Sequence, residues 1–215
     1  MDPIQTTVVA VHEIGPDAVA IEVATPEGFD ARPGQFVKLS ATLGGESVSR
    51  FYTVSSIDTE GTFELTISYD PDEGGAFSEY LLSIAPEDPV TIAGPFGSDY
   101  YDGEERVVVL AGGPGVGPAV AIAERAIADG GEAAVVYRDD HPLHEDRLAE
   151  LATAGAAVFV LTESTALTDA VADVLTLIDG EQVFVYGFAA FLEDAEAAIE
   201  AAGGDPKTAK SENFG

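Results

Sequence analysis

The pattern of apolar residues changes near residue 103, and this change constrains the fold more than any other feature of the sequence. Before Asp102-Gly103, β-branched residues form short runs that are separated by Gly, Pro and Asp turns. After it, continuous apolar segments alternate with Ala-rich segments of helical spacing. The first pattern is typical of an antiparallel barrel or sandwich, and the second of a parallel sheet buried on both faces. We therefore predict two domains, residues 1–103 and 104–215, with a crevice between them.

The same patterns give the expected positions of the elements. Strands of the first half are expected at residues 6–11, 18–23, 35–40, 49–55, 62–69 and 89–93. A single helix is expected in this half, at residues 76–84. Strands of the second half are expected at residues 106–111, 133–137, 156–161 and 182–186. Helices between and after them are expected at residues 117–129, 145–154, 166–177 and 188–202.

The chain carries a large excess of acidic side chains, which excludes several classes of partner. It has 39 Asp and Glu against 9 Lys and Arg, and its formal net charge is -30 at pH 7. Such a polyanion cannot release counterions from phosphates, so we expect no binding to nucleic acid or to an anionic membrane surface. Apolar residues still make up 46% of the chain, which is enough for a core and excludes a disordered acidic tail.

The acidic excess also suggests the solvent in which the protein works. Only three lysines occur, Lys38, Lys207 and Lys210, while small residues and carboxylates are abundant. This composition is typical of a halophilic protein, because in molar salt the Debye length falls to about 3 Å and repulsion between carboxylates is screened. An acidic protein adapted to ordinary salt is the alternative.

The sequence shows no sign of export, of a membrane span or of a metal centre. No apolar run approaches the roughly 20 residues of a membrane span, and the first residues lack the pattern of a signal peptide. We therefore expect a cytoplasmic protein. The chain has no cysteine, which excludes disulfides, a thiol nucleophile and an iron–sulfur cluster held by this chain. His141 and His144 could bind a metal, but we expect a solvated loop there and no metal site.

A glycine-rich segment, GGPGVGP, directly follows the first predicted strand of the second half and directly precedes a helix. Glycines let the backbone approach a pyrophosphate, and the start of a helix offers free N–H groups and the positive end of its dipole. The position of the segment therefore favours a nucleotide site over a tight turn with a purely structural role.

Two segments of the first half could bind a second nucleotide-like ligand. Alternation along a strand places Arg50 and Tyr52 on one face, so that a cation lies beside an aromatic ring. Gly74 and Gly75 precede the one helix expected in this half, and Ser78 lies in its first turn, which makes a second candidate anion site. Ordinary cross-strand packing and a plain helix start are the alternatives for each segment alone. The two candidate anion sites together favour two ligands that meet in the crevice.

Six short motifs, taken in chain order, resemble the ferredoxin:NADP reductase family of flavoprotein oxidoreductases. They are RFYT (50–53), GGAFS (74–78), GPFG (94–97), GGPGVGP (112–118), YGF (186–188) and ENFG (212–215). The resemblance covers nearly the whole chain. It implies an N-terminal antiparallel Greek-key β-barrel that binds FAD and a C-terminal Rossmann-like α/β domain, with a five-stranded parallel sheet, that binds NADH or NADPH.

The resemblance also implies roles for individual residues at the flavin. Arg50 would contact the FAD pyrophosphate, Tyr52 would pack on the isoalloxazine or ribityl group, and Thr53 would form a hydrogen bond near N5. Three residues at the helix start would donate to the FAD pyrophosphate, namely Gly75, Ala76 and Ser78.

The C-terminal ENFG segment resembles the acidic and aromatic ending that returns to the flavin in this family. Glu212 could relay a proton to or from the flavin, or polarise the nicotinamide. Phe214 is the aromatic residue of this ending. A disordered acidic tail is the alternative.

The coenzyme site is implied in the same way. The residues that would line the coenzyme pyrophosphate are Gly112, Gly113, Gly115 and Pro118. Tyr186 and Gly187 stand where family members usually have Cys-Gly, and the cysteine lies close to the nicotinamide, so Tyr186 is both a candidate catalytic residue and a departure from the family.

The end of the second parallel strand carries residues that bear on the choice of coenzyme. In dinucleotide sites an arginine can accommodate a 2′-phosphate, whereas an acidic residue favours the free 2′-hydroxyl. Arg138 is followed by Asp139 and Asp140, so both features are present. Because the carboxylates outnumber the arginine, we favour NADH, with Asp139 as the partner of the ribose.

These observations predict an FAD-dependent oxidoreductase that transfers electrons between NAD(P)H and a ferredoxin or another one-electron carrier. Because the chain has no cysteine for a cluster, electrons must leave to a separate protein or a small acceptor. One alternative is a flavin-binding relay subunit of a larger redox complex that does not itself use NAD(P)H, which Tyr186 in place of cysteine favours. A free flavin reductase is the other.

Overall fold

Two sheets of different kinds make up the computed structural model, which describes residues 2–69, 75–162 and 167–215. The first is antiparallel with six strands, and the second is parallel with five strands and has helices around it. The expected fold class, a β-barrel followed by a Rossmann-like α/β sheet, is confirmed.

The antiparallel sheet is closed into a barrel. Its strands are β1 (Ile4–Gly15), β2 (Ala18–Ala24), β3 (Phe36–Leu43), β4 (Glu46–Thr53), β5 (Thr62–Ser68) and β6 (Pro89–Phe96), in the order β4-β3-β6-β1-β2-β5. A bridge between Val54 and Leu65 joins the β4 and β5 ends of this order. Closure leaves few free strand edges, which protects an antiparallel sheet from pairing with other chains.

Alternation along the strands fills the barrel. On β3, Val37, Leu39 and Ala41 are buried, while Lys38, which lies between the first two, is exposed. The short helix α1 (Ala76–Leu81) covers this core by burying Phe77 and Leu81. The helix ends three residues earlier than its apolar spacing predicted, and Ile84 is buried in the turn that follows.

The central strands of the second sheet, β7 (Arg106–Gly112) and β8 (Glu132–Arg138), are buried on both faces. The other elements of this half are α2 (Val116–Ala128), α3 (Glu145–Thr153), β9 (Ala157–Leu161), α4 (Leu167–Val174), β10 (Glu181–Gly187), α5 (Ala189–Ala201) and β11 (Lys210–Asn213). The strand order is β11-β10-β7-β8-β9. On β7, Val107 and Val109 pack with α2 on one face, and Val108 and Leu110 pack with α4 and α5 on the other.

The apolar pattern alone did not predict β11, which pairs in parallel with β10 at one edge of the sheet. Its sequence, KSEN, is polar and short, so the strand has no hydrophobic period. The fifth strand was implied only by the family resemblance. Gly74 and Ala166, which the sequence placed in a helix start and in a helix, lie outside the described residues.

Across the three described ranges, none of the helices combines the length and the hydropathy that a membrane crossing needs. The same ranges contain no group of three or more His, Asp or Glu side chains that could hold a metal ion.

Candidate functional site

Two predicted site residues meet where the barrel and the parallel sheet touch. Thr53, the last residue of β4, donates a hydrogen bond from Oγ1 to Oε2 of Glu212, at 3.0 Å. Glu212 lies on β11, where it pairs in register with Tyr186 of β10. The end of the chain is therefore held as a strand against the barrel, and the alternative of a disordered acidic tail does not apply to residues 210–213.

The surroundings of Glu212 change its acidity. Burial raises the pKa of the Glu212 carboxyl to about 7, the charge of Asp99 acts in the same direction, and the bond from Thr53 opposes them. A carboxyl group with a pKa near neutrality can both hold and release a proton close to pH 7.

The side chain of Arg50, on β4, reaches the start of α1. Its Nη2 atom is 3.6 Å from the position that a Cβ on Gly75, the residue before the helix, would occupy. Within residues 2–69, 75–162 and 167–215, Arg50 forms no ion pair, whereas the other five arginines each pair with a carboxylate. In a chain with a net charge of -30, an arginine without such a partner is a candidate ligand for an external anion.

Tyr52 stands beside Arg50 on the same face of β4. Its hydroxyl lies 3.5 Å from the Oγ of Ser78, in the first turn of α1. Burial raises the pKa of the Tyr52 phenol, although Ser78 and Arg50 act against this, so the phenol is neutral at physiological pH. A guanidinium, a neutral aromatic ring and a serine hydroxyl therefore lie together, and Ala76 begins the adjoining helix with its side chain exposed.

The glycines of the GGPGVGP segment have different surroundings. A Cβ on Gly112 would overlap the ring of Phe191, and one on Gly115 would overlap the carbonyl group of Tyr186. A Cβ on Gly117 would overlap the hydroxyls of Ser55 and Thr66 in the barrel. Close packing therefore requires these three glycines, against α5 at Gly112, against β10 at Gly115 and against the barrel at Gly117.

Gly113 is half-buried, has a left-handed φ of 57°, and leads through a short 3-10 turn into α2. Pro118 is buried in the first turn of α2. That burial differs from the lining role expected of Pro118, because a buried ring cannot contact a ligand without moving its neighbours.

Tyr186 is completely buried at the contact between β10 and the barrel. Its hydroxyl donates to the backbone carbonyl of Asp99 at 2.9 Å, and it lies 2.5 Å from the position that a Cβ on Gly34 would occupy. The expectation that Tyr186 acts as a catalytic residue at the nicotinamide is therefore corrected. A tyrosine is long enough to reach across the crevice to the barrel, where its buried side chain serves as a brace.

Phe214 packs against Tyr186. Its ring centroid lies 6.5 Å from that of Tyr186 and 6.3 Å from that of Phe188, the second in an edge-on arrangement. The backbone N–H of Phe214 donates to the carbonyl of Gly187, at the end of β10. The aromatic ending is thus docked on the parallel sheet.

The ends of β7, β8 and β10 bring the candidate coenzyme residues to one edge of the parallel sheet. Asp139 accepts hydrogen bonds from the Tyr137 hydroxyl, at 3.2 Å, and from the backbone N–H of His141, at 2.8 Å. One oxygen of Asp139 lies 3.9 Å from the Cβ position of Gly113. Arg138 instead pairs with Asp194 of α5, at 2.9 Å.

The contact between the two sheets contains polar groups that sequence reasoning missed. Arg147 of α3 binds Glu64 of the barrel at 2.8 Å and Glu124 of α2 at 2.7 Å. Burial raises the pKa of the Glu64 carboxyl, although Arg147 acts in the opposite direction. No local pattern predicts this ion-pair network, because its members come from distant elements.

His144 belongs to the same contact. Its Nε2 atom lies 2.8 Å from the Oγ1 of Thr66, which in turn lies 2.8 Å from the Oγ of Ser55. The solvated loop expected for the two histidines is correct for His141, which is exposed, but wrong for His144. Burial lowers the pKa of His144 to about 3, so the ring is neutral.

Comparisons with known proteins find similar sequences and similar folds. Residues 5–101 match the oxidoreductase FAD-binding domain family. The chain is 35% identical over 129 residues to the toluate 1,2-dioxygenase electron transfer component of Pseudomonas putida, a match that covers 59% of this chain and 35% of that protein. The chain spans between 30 and 44% of the length of the first curated relatives that it matches.

Solved structures share the complete fold. The FAD/NAD-binding domain of nitric oxide dioxygenase from Vibrio cholerae superposes with a TM-score of 0.83 at 19% identity, covering 98% of both chains. A ferredoxin NADP+ reductase from Neisseria gonorrhoeae, whose structure contains FAD and NADP, superposes with a TM-score of 0.81 at 16% identity and covers all of both chains. At these identities the likeness establishes the fold alone.

Proposed function

We propose that the chain is an FAD-binding oxidoreductase of the ferredoxin reductase type, which oxidises NAD(P)H and passes electrons to a one-electron carrier such as a ferredoxin. The proposal assigns FAD to the domain of residues 1–103 and the coenzyme to residues 104–215. The observation that carries it is Arg50, which has no carboxylate partner in the described ranges and lies next to Tyr52 and the start of α1.

The residues around Arg50 fit FAD. The cofactor combines a diphosphate with a flat ring system, and the site combines a guanidinium with the face of a half-buried tyrosine. Charge-assisted hydrogen bonds from Arg50 would hold the diphosphate, with the Ser78 hydroxyl as a further donor. Bound FAD would accept a hydride and release its electrons one at a time.

Thr53 and Glu212 supply proton chemistry beside this site. The Thr53 hydroxyl keeps the Glu212 carboxyl oriented, at 3.0 Å, and lowers its pKa toward the neutral range. Glu212 can therefore hold a proton at the contact between the two domains and exchange it close to pH 7. The buried Tyr186 brace would fix the position of the strand pair that carries Glu212.

In this proposal the electrons pass to an acceptor outside residues 1–215, because these residues include no cysteine with which to hold an iron–sulfur cluster. The similar protein of Pseudomonas putida is named as the electron transfer component of toluate 1,2-dioxygenase. We propose that this chain, in the same manner, reduces a carrier that docks on it.

Anaerobic reduction of the purified protein tests the proposal. We expect the protein to retain a flavin absorption band through gel filtration, and NADH or NADPH to bleach it. A one-electron acceptor such as ferricyanide should then restore the band. A protein that folds but binds no flavin would refute the assignment. Bound flavin that neither coenzyme reduces would indicate the relay subunit, and flavin that is lost during gel filtration would indicate a free flavin reductase.

A further inference from the structure

Arg138 is held in an unusual environment at the end of β8. Its side chain is only 17% exposed, its Nη2 atom pairs with Asp194 at 2.9 Å, and its guanidinium carbon lies 5.0 Å from the centroid of the Phe191 ring. The Nη1 atom is buried and has no hydrogen-bond partner among the residues that the structure describes. An unsatisfied donor on a buried cation is costly, so this guanidinium retains capacity for another acceptor.

The guanidinium also lies close to the glycine-rich turn. The Phe191 ring beneath it packs directly on Gly112 and Gly187, the last residues of β7 and β10. Asp139, the residue after Arg138, lies beside Gly113 at the start of the same turn. Arg138 and Asp139 therefore present opposite charges at the edge of the sheet where a dinucleotide would lie.

We propose that Asp194 determines coenzyme choice by neutralising Arg138, so that the site selects NADH over NADPH. This inference rests on the proposed function and extends it to a residue on α5. The 2′-phosphate of NADPH needs a cation that is free to bind it, and Asp194 already occupies the one arginine at this edge.

The carboxylate of Asp139 also favours NADH over NADPH. The Asp139 carboxylate is fixed by the Tyr137 hydroxyl and the His141 N–H, so it stays beside the turn. It can accept a hydrogen bond from a ribose 2′-hydroxyl, and it repels a phosphate at that place. The pair of Asp194 with Arg138 thus leaves Asp139 as the charge that a ligand meets.

The test compares two ligands that differ only in the 2′-phosphate. Binding of 5′-AMP and of adenosine 2′,5′-bisphosphate is measured by calorimetry at one fixed salt concentration, with unreduced protein and no electron acceptor. The variant is Asp194→Asn, which keeps the size of the side chain and removes its charge. The matched control is Glu193→Gln, which removes one charge from an exposed neighbour on the same helix.

We expect the wild-type protein to bind 5′-AMP at least as tightly as the bisphosphate. Asp194→Asn should strengthen binding of the bisphosphate about tenfold relative to 5′-AMP, because a released guanidinium gains a charge-assisted bond. Glu193→Gln should leave this ratio within about twofold, since an exposed charge at a distance is screened. The ratio of kcat/KM for NADPH and NADH should move with the binding ratio.

Other results would overturn the inference in distinguishable ways. Equal gains for both ligands in Asp194→Asn would mean that Arg138 serves a phosphate that they share. An unchanged ratio in a folded variant, or a wild-type preference for the bisphosphate, would remove Asp194 as the determinant. A folded wild-type protein that binds neither ligand would instead refute the proposed use of NAD(P)H, and the inference with it.

Discussion

Opposing effects set the pKa of Glu212, and substitutions can test them. Burial raises the pKa to about 7 from an ordinary value near 4.5, while the hydrogen bond from Thr53 lowers it. Between these two values the folded state binds more protons at Glu212 than the unfolded state does. The contribution of this residue to the free energy of unfolding therefore falls as pH rises through that window.

Two substitutions test the raised pKa of Glu212 and its effect on stability. Glu212→Gln should remove the part of the pH dependence that this carboxyl causes, so that Tm falls less between pH 4.5 and 7 than in the wild-type protein. Thr53→Val should raise the pKa above about 7, measured by infrared titration of the protonated carboxyl band. Thr6→Val, which removes a barrel hydroxyl bonded to Ala24, is the control. A midpoint that does not move in Thr53→Val would contradict the role of that hydrogen bond.

Arg50, which has no carboxylate partner within residues 2–69, 75–162 and 167–215, also allows a prediction about FAD binding. Arg50→Ala should weaken retention of FAD by about 2 kcal/mol, or roughly 30-fold in Kd, because one charge-assisted bond to the diphosphate is lost. Lys38→Ala removes the same charge from the neighbouring strand β3, where the side chain is exposed, and should leave FAD binding unchanged. Equal effects of the two substitutions would show that overall charge, not a contact, controls binding.

At the scale of elements, Gly117 decides how closely α2 approaches the barrel. A methyl group at this position would overlap the hydroxyls of Ser55 and Thr66. Gly117→Ala should therefore destabilise the protein by about 2 kcal/mol, as overpacking does elsewhere, although alanine favours helix formation. The measurement is the free energy of unfolding in denaturant.

The same substitution should also loosen the contact between α2 and the barrel, because Ser55 and Thr66 are barrel residues. The control is Ala128→Gly, at the far end of the same helix, which changes helix propensity without touching the barrel. A Gly117→Ala protein as stable as the wild type would show that the barrel and helix can adjust without cost.

The elements also show what the sequence could predict. Apolar patterns identified the six barrel strands and β7, β8, β9 and β10 of the parallel sheet, because apolar residues recur in each of these strands. They did not identify β11, whose position is fixed by pairing with β10. Phosphate binding by the glycine-rich segment stays a prediction. That close packing requires three of its glycines could not be predicted, since a short motif does not reveal which neighbours approach it.

In the candidate site, too, the sequence predicted the contacts within neighbouring segments but not the contacts between distant elements. Arg50, Tyr52 and Ser78 could be grouped because they lie on one strand face and an adjoining helix start. The pairs of Thr53 with Glu212 and of Arg138 with Asp194 join elements far apart in the chain, so their geometry needs the folded structure. Tyr186 is an example, because the sequence shows that its side chain is long but not that its hydroxyl binds the carbonyl of Asp99.

At the scale of the whole molecule, two electrostatic effects of opposite sign compete. The chain has 39 acidic and 9 basic residues, so most of its carboxylates repel one another without a cation nearby. Salt screens this repulsion and thereby favours the folded state. Salt also weakens attractive ion pairs, but the pairs that join the two sheets are mostly buried, with Arg147 22% and Glu64 18% exposed, and buried pairs are screened less.

Relief of repulsion should therefore dominate, and Tm should rise with added NaCl. The rise should be steepest between about 0.01 M and about 1 M, where the Debye length falls from about 30 Å to about 3 Å, and should flatten beyond that range. Sucrose at matched osmolality is the control, since it stabilises by exclusion from the surface and screens no charge. A Tm that is highest in dilute buffer, or that rises equally in sucrose, would show that repulsion between carboxylates does not limit the stability of this fold. If the salt dependence is as expected, long-range steering of an electron carrier is also screened under the conditions that favour the fold, so docking must depend on short-range shape and apolar contact.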